Sequence, residues 1–435
     1  MRHVLMASGA RATQAVSAMV AGILVARFLG AEAKGTLSVL TALASMGVLL
    51  ASLGIPLSGI YFLGRFKEER DLVISNNLVA GALGGVLTAG LLVAVATAFS
   101  DAILHGIEVS LLVLYACSVP FYFFNEFGRG VLFGEGKIRQ AYLPDILGGG
   151  GLLIGTALAL LVFGEHIVPL VALRVVVEVV VTFYVLFSIR RQTPFRLNTS
   201  RPMLRRQLGY GLRNYASSLM WLFLLQSDIV LCNHFLGSGD TGVYSVAVSL
   251  GLPITMLAAV VGSLTFQRVS SEASRATRIA NTNRSVRILV PLVAVSIIAT
   301  GALAFWLIPV VYGSAFSGAA AALALLLPGF LAYSIEIVLM NFLAGEGSPP
   351  IVVWAPAVGL AINVAANSFV IPRWGIDGAS VTSSAAYGVV LLLVLRYYMR
   401  STSSSLRDLF ATRGADVDAL LGGRAAAGPA AEARA

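Results

Sequence analysis

Charged residues are scarce in this chain of 435 residues. Asp, Glu, Lys and Arg together make up 12% of it, while 57% is apolar. Soluble domains carry roughly 25% charged residues. The composition therefore excludes a soluble globular protein. Runs of about 20 apolar residues, long enough to cross roughly 30 Å of hydrocarbon, indicate a polytopic membrane protein.

Cysteine and histidine are also rare. Cys117 and Cys232 lie in apolar segments without disulfide or metal spacing, and the four histidines are scattered. The stretch 130–137 lacks the first glycine and the hydroxyl residue of a phosphate loop. No soluble catalytic domain stands out either. We therefore expect no metal, no cofactor, no nucleotide-driven step and no enzymatic activity.

Lysine occurs only at Lys34, Lys67 and Lys137, so arginine supplies nearly all of the positive charge. If both termini are cytoplasmic, the outer loops carry only Arg27, Lys34 and Arg373, and the inner loops carry the other loop arginines. This asymmetry follows the positive-inside rule. It accounts for the formal net charge of +9 with anionic lipid headgroups as partners and without nucleic acid.

Twelve apolar segments are long enough to span the membrane, six in each half of the chain. The predicted spans are 10–29, 38–63, 76–99, 108–128, 143–163, 167–189, 209–235, 241–264, 287–312, 319–343, 351–371 and 376–399. The predicted organisation is a first bundle over 1–189, a basic cytoplasmic connector over 190–208, a second bundle over 209–400 and a disordered cytoplasmic tail over 401–435. One short amphipathic turn is expected within that tail.

A repeated motif relates the two halves. The stretch 28–39, which contains Gly30 and Gly35, recurs 207 residues later at 235–246. A second pair, 132–136 and 343–347, repeats with an offset of 211. An even number of spans between the copies gives both the same orientation, so the pseudo-twofold axis should run along the membrane normal. Such parallel repeats are typical of transporters whose halves enclose a path.

Ionisable residues inside the predicted spans mark candidate functional positions. A charge at the bilayer centre costs about 2.5–3.5 kcal/mol on insertion scales, so such residues usually face a bundle interior or a wet cavity. In the sixth span, Arg174 and Glu178 are four residues apart, with Thr182 continuing the stripe, so they share one helical face. This pair fits either a neutralised structural role or a gating or coupling role.

The seventh span carries a polar stripe that we expect to line the path. Its members recur at helical spacing, with Arg213 at the cytoplasmic end: Asn214, Ser217, Ser218, Trp221 and Asp228. A weaker stripe in the first span consists of Thr13, Ser17 and Arg27. Glu336, Asn363 and Asn367 complete the set. The two asparagines fit equally well a hydrogen bond to a neighbouring helix.

The order and spacing of several motifs carry a family resemblance. They are residues 26–35, the block 228–245, residues 343–347, and residues 363–379 with the run Pro372 to Gly378. The chain resembles the bacterial polysaccharide-synthesis family of oligosaccharide flippases, in the superfamily of multidrug and toxic-compound extrusion exporters and lipid II flippases. The resemblance implies twelve helices in two six-helix bundles, a central V-shaped cavity, and export of lipid-linked sugars across the bacterial plasma membrane. A polysaccharide polymerase and glycosyltransferases would be its partners.

The chemistry of such a substrate suggests a role for each polar group. A polyprenyl pyrophosphate suits the forked donors of arginine, here Arg27, Arg213 and Arg174. The glycan suits the hydroxyl and amide groups of Asn214, Ser217, Ser218, Gln226, Asn363 and Asn367, with Trp221 as a stacking surface. Energy would come from a proton or sodium gradient acting through Asp228, Glu178 or Glu336, or from consumption of the product outside.

Three alternatives remain open at this point. A cation-coupled multidrug exporter of the same superfamily would have an acidic or aromatic cavity. A non-transporting scaffold for envelope assembly would not explain why polar residues lie in stripes within the membrane spans. A membrane glycosyltransferase or polymerase would need a large outer loop with catalytic groups, and the predicted outer loops are short.

Overall fold

The computed structural model describes residues 2–100 and 104–411, except for the side chains of residues 2–8, Arg11, Arg213 and Asn214. This part of the chain is helical and contains no strand. Its helices are α1 (Arg2–Ser52), α2 (Ile55–Arg65), α3 (Arg70–Ala98), α4 (Val109–Ala116), α5 (Val119–Gly134), α6 (Ile138–Phe163), α7 (Ile167–Gln192), α8 (Arg201–Leu236), α9 (Ser238–Gly251), α10 (Thr255–Ser271), α11 (Arg275–Tyr312), α12 (Gly318–Gly345), α13 (Ile351–Thr402) and α14 (Leu406–Phe410). Single 3-10 turns cover Leu252–Ile254 and Ser314–Phe316.

Ten helical spans in the described part are long and apolar enough to cross a membrane. Two of them, Ala12–Ser52 and Ile351–Thr402, have 41 and 52 residues. They break at Gly30 and Gly375, where the backbone turns into the left-handed region. At 1.5 Å per residue these two spans are about 60 and 80 Å long, so each accounts for two passes. The predicted all-helical architecture with twelve membrane helices is confirmed.

The repeat is visible in the backbone as well as in the sequence. Gly30 and Gly237 have φ values of 81° and 85°, and Gly106 and Gly313, also 207 residues apart, have values of 77° and 106°. Only glycine adopts such angles without strain. Because the helix resumes directly after Gly30, Lys34 lies within α1, and its predicted place in an outer loop is wrong.

The two halves cross at the second glycine of the repeated motif. A Cβ atom on Gly35 would lie 1.7 Å from the carbonyl oxygen of Ser238, and one on Gly242 would lie 1.9 Å from that of Ala31. Ala31 and Ser238 are themselves related by the 207-residue offset, so the contact is reciprocal. Small residues allow this close approach of two membrane helices. We call this backbone contact between α1 and α9 the glycine crossing.

The second repeated motif forms an ion pair at the same place in each half. Glu135 follows α5, and its Oε2 lies 2.8 Å from Nη2 of Arg70 at the start of α3. Glu346 follows α12 and is contacted by Arg278 at 2.9 Å and Arg275 at 3.2 Å, both at the start of α11. The motif therefore ties together the same ends of corresponding helices in both bundles.

The connector between the halves is shorter than predicted. Helix α7 continues to Gln192 and α8 begins at Arg201, so only 193–200 of the predicted stretch 190–208 is non-helical. Polar groups of α3 hold this segment: the amide of Arg196 donates to Asp71 at 3.2 Å, and that of Ser200 donates to Asn76 at 3.0 Å. The connector is thus docked on the first half.

Helix α8 contacts both halves along its 36 residues. Near its start, the ring of Tyr210 stacks on Tyr61 with centroids 4.3 Å apart. The hydroxyl group of Tyr215 lies 2.6 Å from Ser52. Further along the helix, Ser217 donates to the carbonyl oxygen of Val352 in the second half. The beginning of α8 is therefore packed as part of the first half.

Ordered structure extends past residue 401, where the tail was predicted to be disordered. Helix α13 continues to Thr402, and Ser405 caps the short helix α14 with its side chain. Leu409 is fully buried. Burial of this leucine explains why the segment packs back onto the bundle, at the position where one amphipathic turn was expected. Residues 412–435 of the predicted tail lie outside the described residues.

Candidate functional site

A cavity of about 570 Å³ lies inside the first half. Helices α1, α5, α6 and α7 form its walls, and among the described residues Met256 of α10 is the one that lines it from the second half. Its polar lining residues are Gln14, Tyr122, Asn125, Glu126, Arg129, Asp145, Arg174 and Glu178. Five of these eight side chains are ionisable acids or arginines. A cavity of this kind within membrane helices is a functional-site candidate.

The predicted pair Arg174 and Glu178 lines this cavity as an ion pair at 3.1 Å. Asn125 donates from Nδ2 to the Glu178 carboxylate at 3.0 Å, and Thr182 donates to Asn125 at 3.0 Å. The guanidinium of Arg174 lies 5.8 Å from the ring of Tyr122. The spacing thus correctly indicated a shared helical face. Whether the pair is structural or takes part in coupling stays a prediction.

Arg129 forms a second charged group in the same cavity. Its Nη1 lies 2.9 Å from Glu126 on the same helix, and its Nη2 lies 3.0 Å from Asp145 on α6. Asp145 is buried, whereas the side chain of Glu126 is 38% exposed. Arg129 follows the predicted span 108–128 and so counts among the predicted inner-loop arginines, and neither Glu126 nor Asp145 was a predicted site residue. The i,i+3 spacing of Glu126 and Arg129 within an apolar segment was the available signal.

A hydrogen-bonded network lies in the second half and is closed to solvent. Asp228 accepts hydrogen bonds from the hydroxyl groups of Tyr244, at 2.5 Å, and Ser383, at 3.1 Å. Asn363 donates to Ser383 and Asn367 donates to Asn363, both at 3.1 Å. All five residues are at most 1% exposed. The asparagines therefore bond within the helix bundle, which was one of the two predicted possibilities.

Glu336 is an acidic residue of α12 in the second half. It is fully buried, and neither carboxylate oxygen has a partner among the described residues. One turn earlier on α12, the ring of Tyr333 stacks on Trp221 with centroids 4.4 Å apart. A buried carboxylate without partners is costly in its charged form. Glu336 therefore suits binding of a proton or a small cation.

The described members of the predicted stripe on α8 meet different surroundings, and a shared lumen-facing surface stays a prediction. Ser217 donates to the carbonyl oxygen of Val352 on α13 at 2.8 Å, and Ser218 is exposed. Trp221 packs inside the second half, and Asp228 is buried there. The helix passes between different neighbours along its length, so residues on one face meet different surroundings. The side chains of Arg213 and Asn214 lie outside the described residues.

Arg27 lies apart from both polar groups. It is exposed near the end of the first pass, and its Nη1 lies 3.4 Å from where a Cβ on Gly313 would sit. Gly313 belongs to the second half, so Arg27 reaches across the junction of the halves. Arg27 does not line the cavity of the first half. The structure therefore does not bring Arg27 together with Arg174, the other described arginine proposed for phosphate.

A comparison with protein families matches residues 1–267 to the profile described as "Polysaccharide biosynthesis protein". The match covers more than half of the chain. The chain belongs to this polysaccharide biosynthesis protein family. The predicted membership is thereby confirmed. A search of curated protein sequences found no match.

Solved structures share the fold of this polysaccharide biosynthesis protein. The inward-facing conformation of a multidrug-resistance MATE transporter of the MOP superfamily aligns with a TM-score of 0.72 at 16% identity, covering 90% of this chain and 94% of its own. The lipid II flippase MurJ in an inward closed conformation aligns at 0.74 and 15% identity, covering 96% and 92%. An outward-facing MATE conformation aligns at 0.56 and 16% identity, covering 93% and 98%.

Family and fold together support a membrane flippase or exporter with multiple transmembrane helices. The aligned solved structures are those of transporters and of a lipid II flippase. Within that class, the charged cavity of the first half is the candidate binding site, and the buried acids of the second half are candidates for coupling.

Proposed function

We propose that this polysaccharide biosynthesis protein translocates a polyprenyl-pyrophosphate-linked oligosaccharide across the bacterial plasma membrane by alternating access. The cavity of about 570 Å³ in the first half carries this proposal. Small-molecule sites measure roughly 300–1,000 Å³, and this one offers amide, hydroxyl and charged groups in a helix bundle. A glycan needs such partners, while its polyprenyl tail stays among the lipids outside the halves.

The pyrophosphate is proposed to bind arginines near the junction of the halves. Arg213 belongs to the part of α8 that follows the connector, and Arg27 stands near the opposite end of the first pass. This arrangement favours hand-over from Arg213 on entry to Arg27 on exit.

Replacing Arg27 by Gln should preserve the protein level but abolish surface glycan in a cell that depends on the protein. Arg27→Lys should rescue only partly, because it loses the forked geometry. Normal surface glycan with Arg27→Gln would show that Arg27 only anchors its helix at the membrane interface.

Coupling to a proton or sodium gradient is proposed to use the buried acids. Glu336 has no partner among the described residues, and Asp228 is held by two hydroxyl groups. Both groups lie in the second half, whereas the candidate glycan site lies in the first. Glu178, bonded to Arg174 and Asn125, is the third candidate and would link the cavity itself to coupling.

The proposed orientation places both termini and the connector in the cytoplasm. It rests on the excess of arginines in the predicted inner loops. Arg196 in the connector and Asp240 at the start of α9 are both exposed. With single cysteines at these positions, an impermeant maleimide should label only position 240 in intact cells. Labelling at position 196 would show that the proposed topology is wrong.

A cation-coupled multidrug exporter is the second candidate. One observation favours it: the first-half cavity contains three carboxylates, Glu126, Asp145 and Glu178, against two arginines. Such a surplus would suit a cationic drug. Deletion of the gene should leave drug tolerance unchanged and remove surface glycan if the main proposal holds. Lost drug tolerance with intact glycan would favour the exporter.

A further inference from the structure

The repeat provides an internal control for the charges in the first-half cavity. With the offset of 211 that relates residues 132–136 to 343–347, Tyr122 on α5 corresponds to Tyr333 on α12. The same offset places Ile337 where the first half has Glu126. It likewise places Met340 where the first half has Arg129. The fold therefore accepts apolar residues at both positions, so the charges of the first half require another explanation.

The described charges of the cavity do not form an anion site. Arg129 is bridged by two carboxylates and Arg174 by one, at distances of 2.9–3.1 Å. Each guanidinium is thus already engaged by an acid. Counting two arginines against three carboxylates leaves a formal charge of −1 among these five groups. An incoming anion would have to displace an internal carboxylate from its arginine and leave that carboxylate unpaired.

Glu126 is the carboxylate most accessible to a ligand. Its side chain is 38% exposed, against 4% for Asp145 and 10% for Glu178. Asp145 is bridged to Arg129, and Glu178 also accepts a hydrogen bond from Asn125. A ligand in the cavity therefore meets the Glu126 carboxylate together with the amide of Gln14 and the hydroxyl group of Tyr122, which line the same space.

We infer that this cavity receives the sugar part of the substrate and selects against acidic sugars. Hydroxyl groups of a neutral sugar can donate to Glu126 and accept from Gln14 and Tyr122. A uronic acid at the same place would add a second anion beside Glu126. The inference rests on the proposed function, because the glycan reaches the cavity only as part of a lipid-linked substrate.

Two synthetic probes test the inference on the full chain in nanodiscs. Both are polyprenyl-pyrophosphate-linked disaccharides, and they differ only in the second sugar, glucose in one and glucuronic acid in the other. The pyrophosphate and the lipid are identical, so they contribute equally to both affinities. We expect the wild-type protein to bind the glucose probe at least tenfold more tightly.

The neutral variant Glu126→Gln removes the surplus charge and leaves the Arg129 bridge to Asp145 in place. It should reduce the tenfold preference to less than threefold. The matched variant Glu165→Gln changes the same charge at an exposed position outside the cavity and should leave the preference unchanged.

The outcomes distinguish a failure of this inference from a failure of the proposed function. Equal wild-type affinities for both probes would overturn the inference while the proposed function stands. A tenfold preference that Glu126→Gln does not reduce would also overturn the assignment to this cavity. If neither probe binds, the proposed function and the inference are both overturned. If Glu126→Gln does not fold, equal wild-type affinities still overturn the inference, and a tenfold wild-type preference still supports selection against acidic sugars.

Discussion

Replacing either glycine of the glycine crossing by alanine should prevent the halves from closing there. A Cβ on Gly35 would stand 1.7 Å from a carbonyl oxygen of the other half. Even close carbon–oxygen contacts in proteins measure about 3.3 Å, so the helices would have to separate by about 1.6 Å. Overpacking of this kind costs about 1–3 kcal/mol. Because the contact is reciprocal, Gly242→Ala should have the same effect.

The control variant is Gly90→Ala. A Cβ on Gly90 meets no atom within 4 Å, and alanine is the better helix former. Thermal unfolding of the purified proteins should therefore show lower stability for Gly35→Ala and Gly242→Ala, and equal or higher stability for Gly90→Ala. Glycan translocation should fall only in the first two.

A labelling experiment shows whether the crossing itself has opened. Val39 is fully buried one turn after Gly35. With Cys117 and Cys232 replaced by serine, a cysteine at position 39 should react slowly with maleimide in the parent protein and faster when Gly35→Ala is added. Unchanged stability, labelling and translocation in Gly35→Ala would refute the reasoning about the crossing.

Three further predictions follow from single sites. Glu336→Gln should keep the melting temperature, since no hydrogen bond of the described residues is lost, but should abolish gradient-driven uptake in vesicles; full uptake would remove Glu336 from coupling. If the Arg174 and Glu178 pair is structural, Arg174→Ala should lower folded yield and the double variant with Glu178→Ala should restore part of it, whereas folded but inactive single variants would indicate coupling. Gly375→Ala should lower the melting temperature, because its φ of 58° costs other residues about 1–2 kcal/mol, while Gly388→Ala in the same helix should not.

The fold could be predicted because its signals are local or repeated. Apolar length determines a membrane helix, and a shared motif such as Gly30 to Val39 reveals a duplicated unit. The structure adds the physical reason for the motif: Gly30 supplies a left-handed bend and Gly35 permits the crossing. The division of Arg2–Ser52 into two passes was predicted. The two passes are joined by a bend at the single residue Gly30 and not by a loop.

The site was predicted less completely because its contacts join distant segments. Arg174 and Glu178 were found because they lie one turn apart on one helix. The contact between Arg129 and Asp145 joins two helices and depends on how α5 packs against α6. The burial of Asp228 likewise depends on Tyr244 and Ser383 from two other helices. Periodicity indicates a shared face of a helix but not which neighbour that face meets.

The central claim is that this chain moves a lipid-linked glycan from one leaflet to the other. Its most direct test uses proteoliposomes containing the purified protein and the glucose-bearing probe in the inner leaflet. Appearance of the glycan on the outer surface is followed by binding of an impermeant lectin. The account predicts rapid exposure with the wild-type protein and with Gly90→Ala, and exposure at the rate of protein-free vesicles with Gly35→Ala. Wild-type exposure no faster than in protein-free vesicles would contradict it.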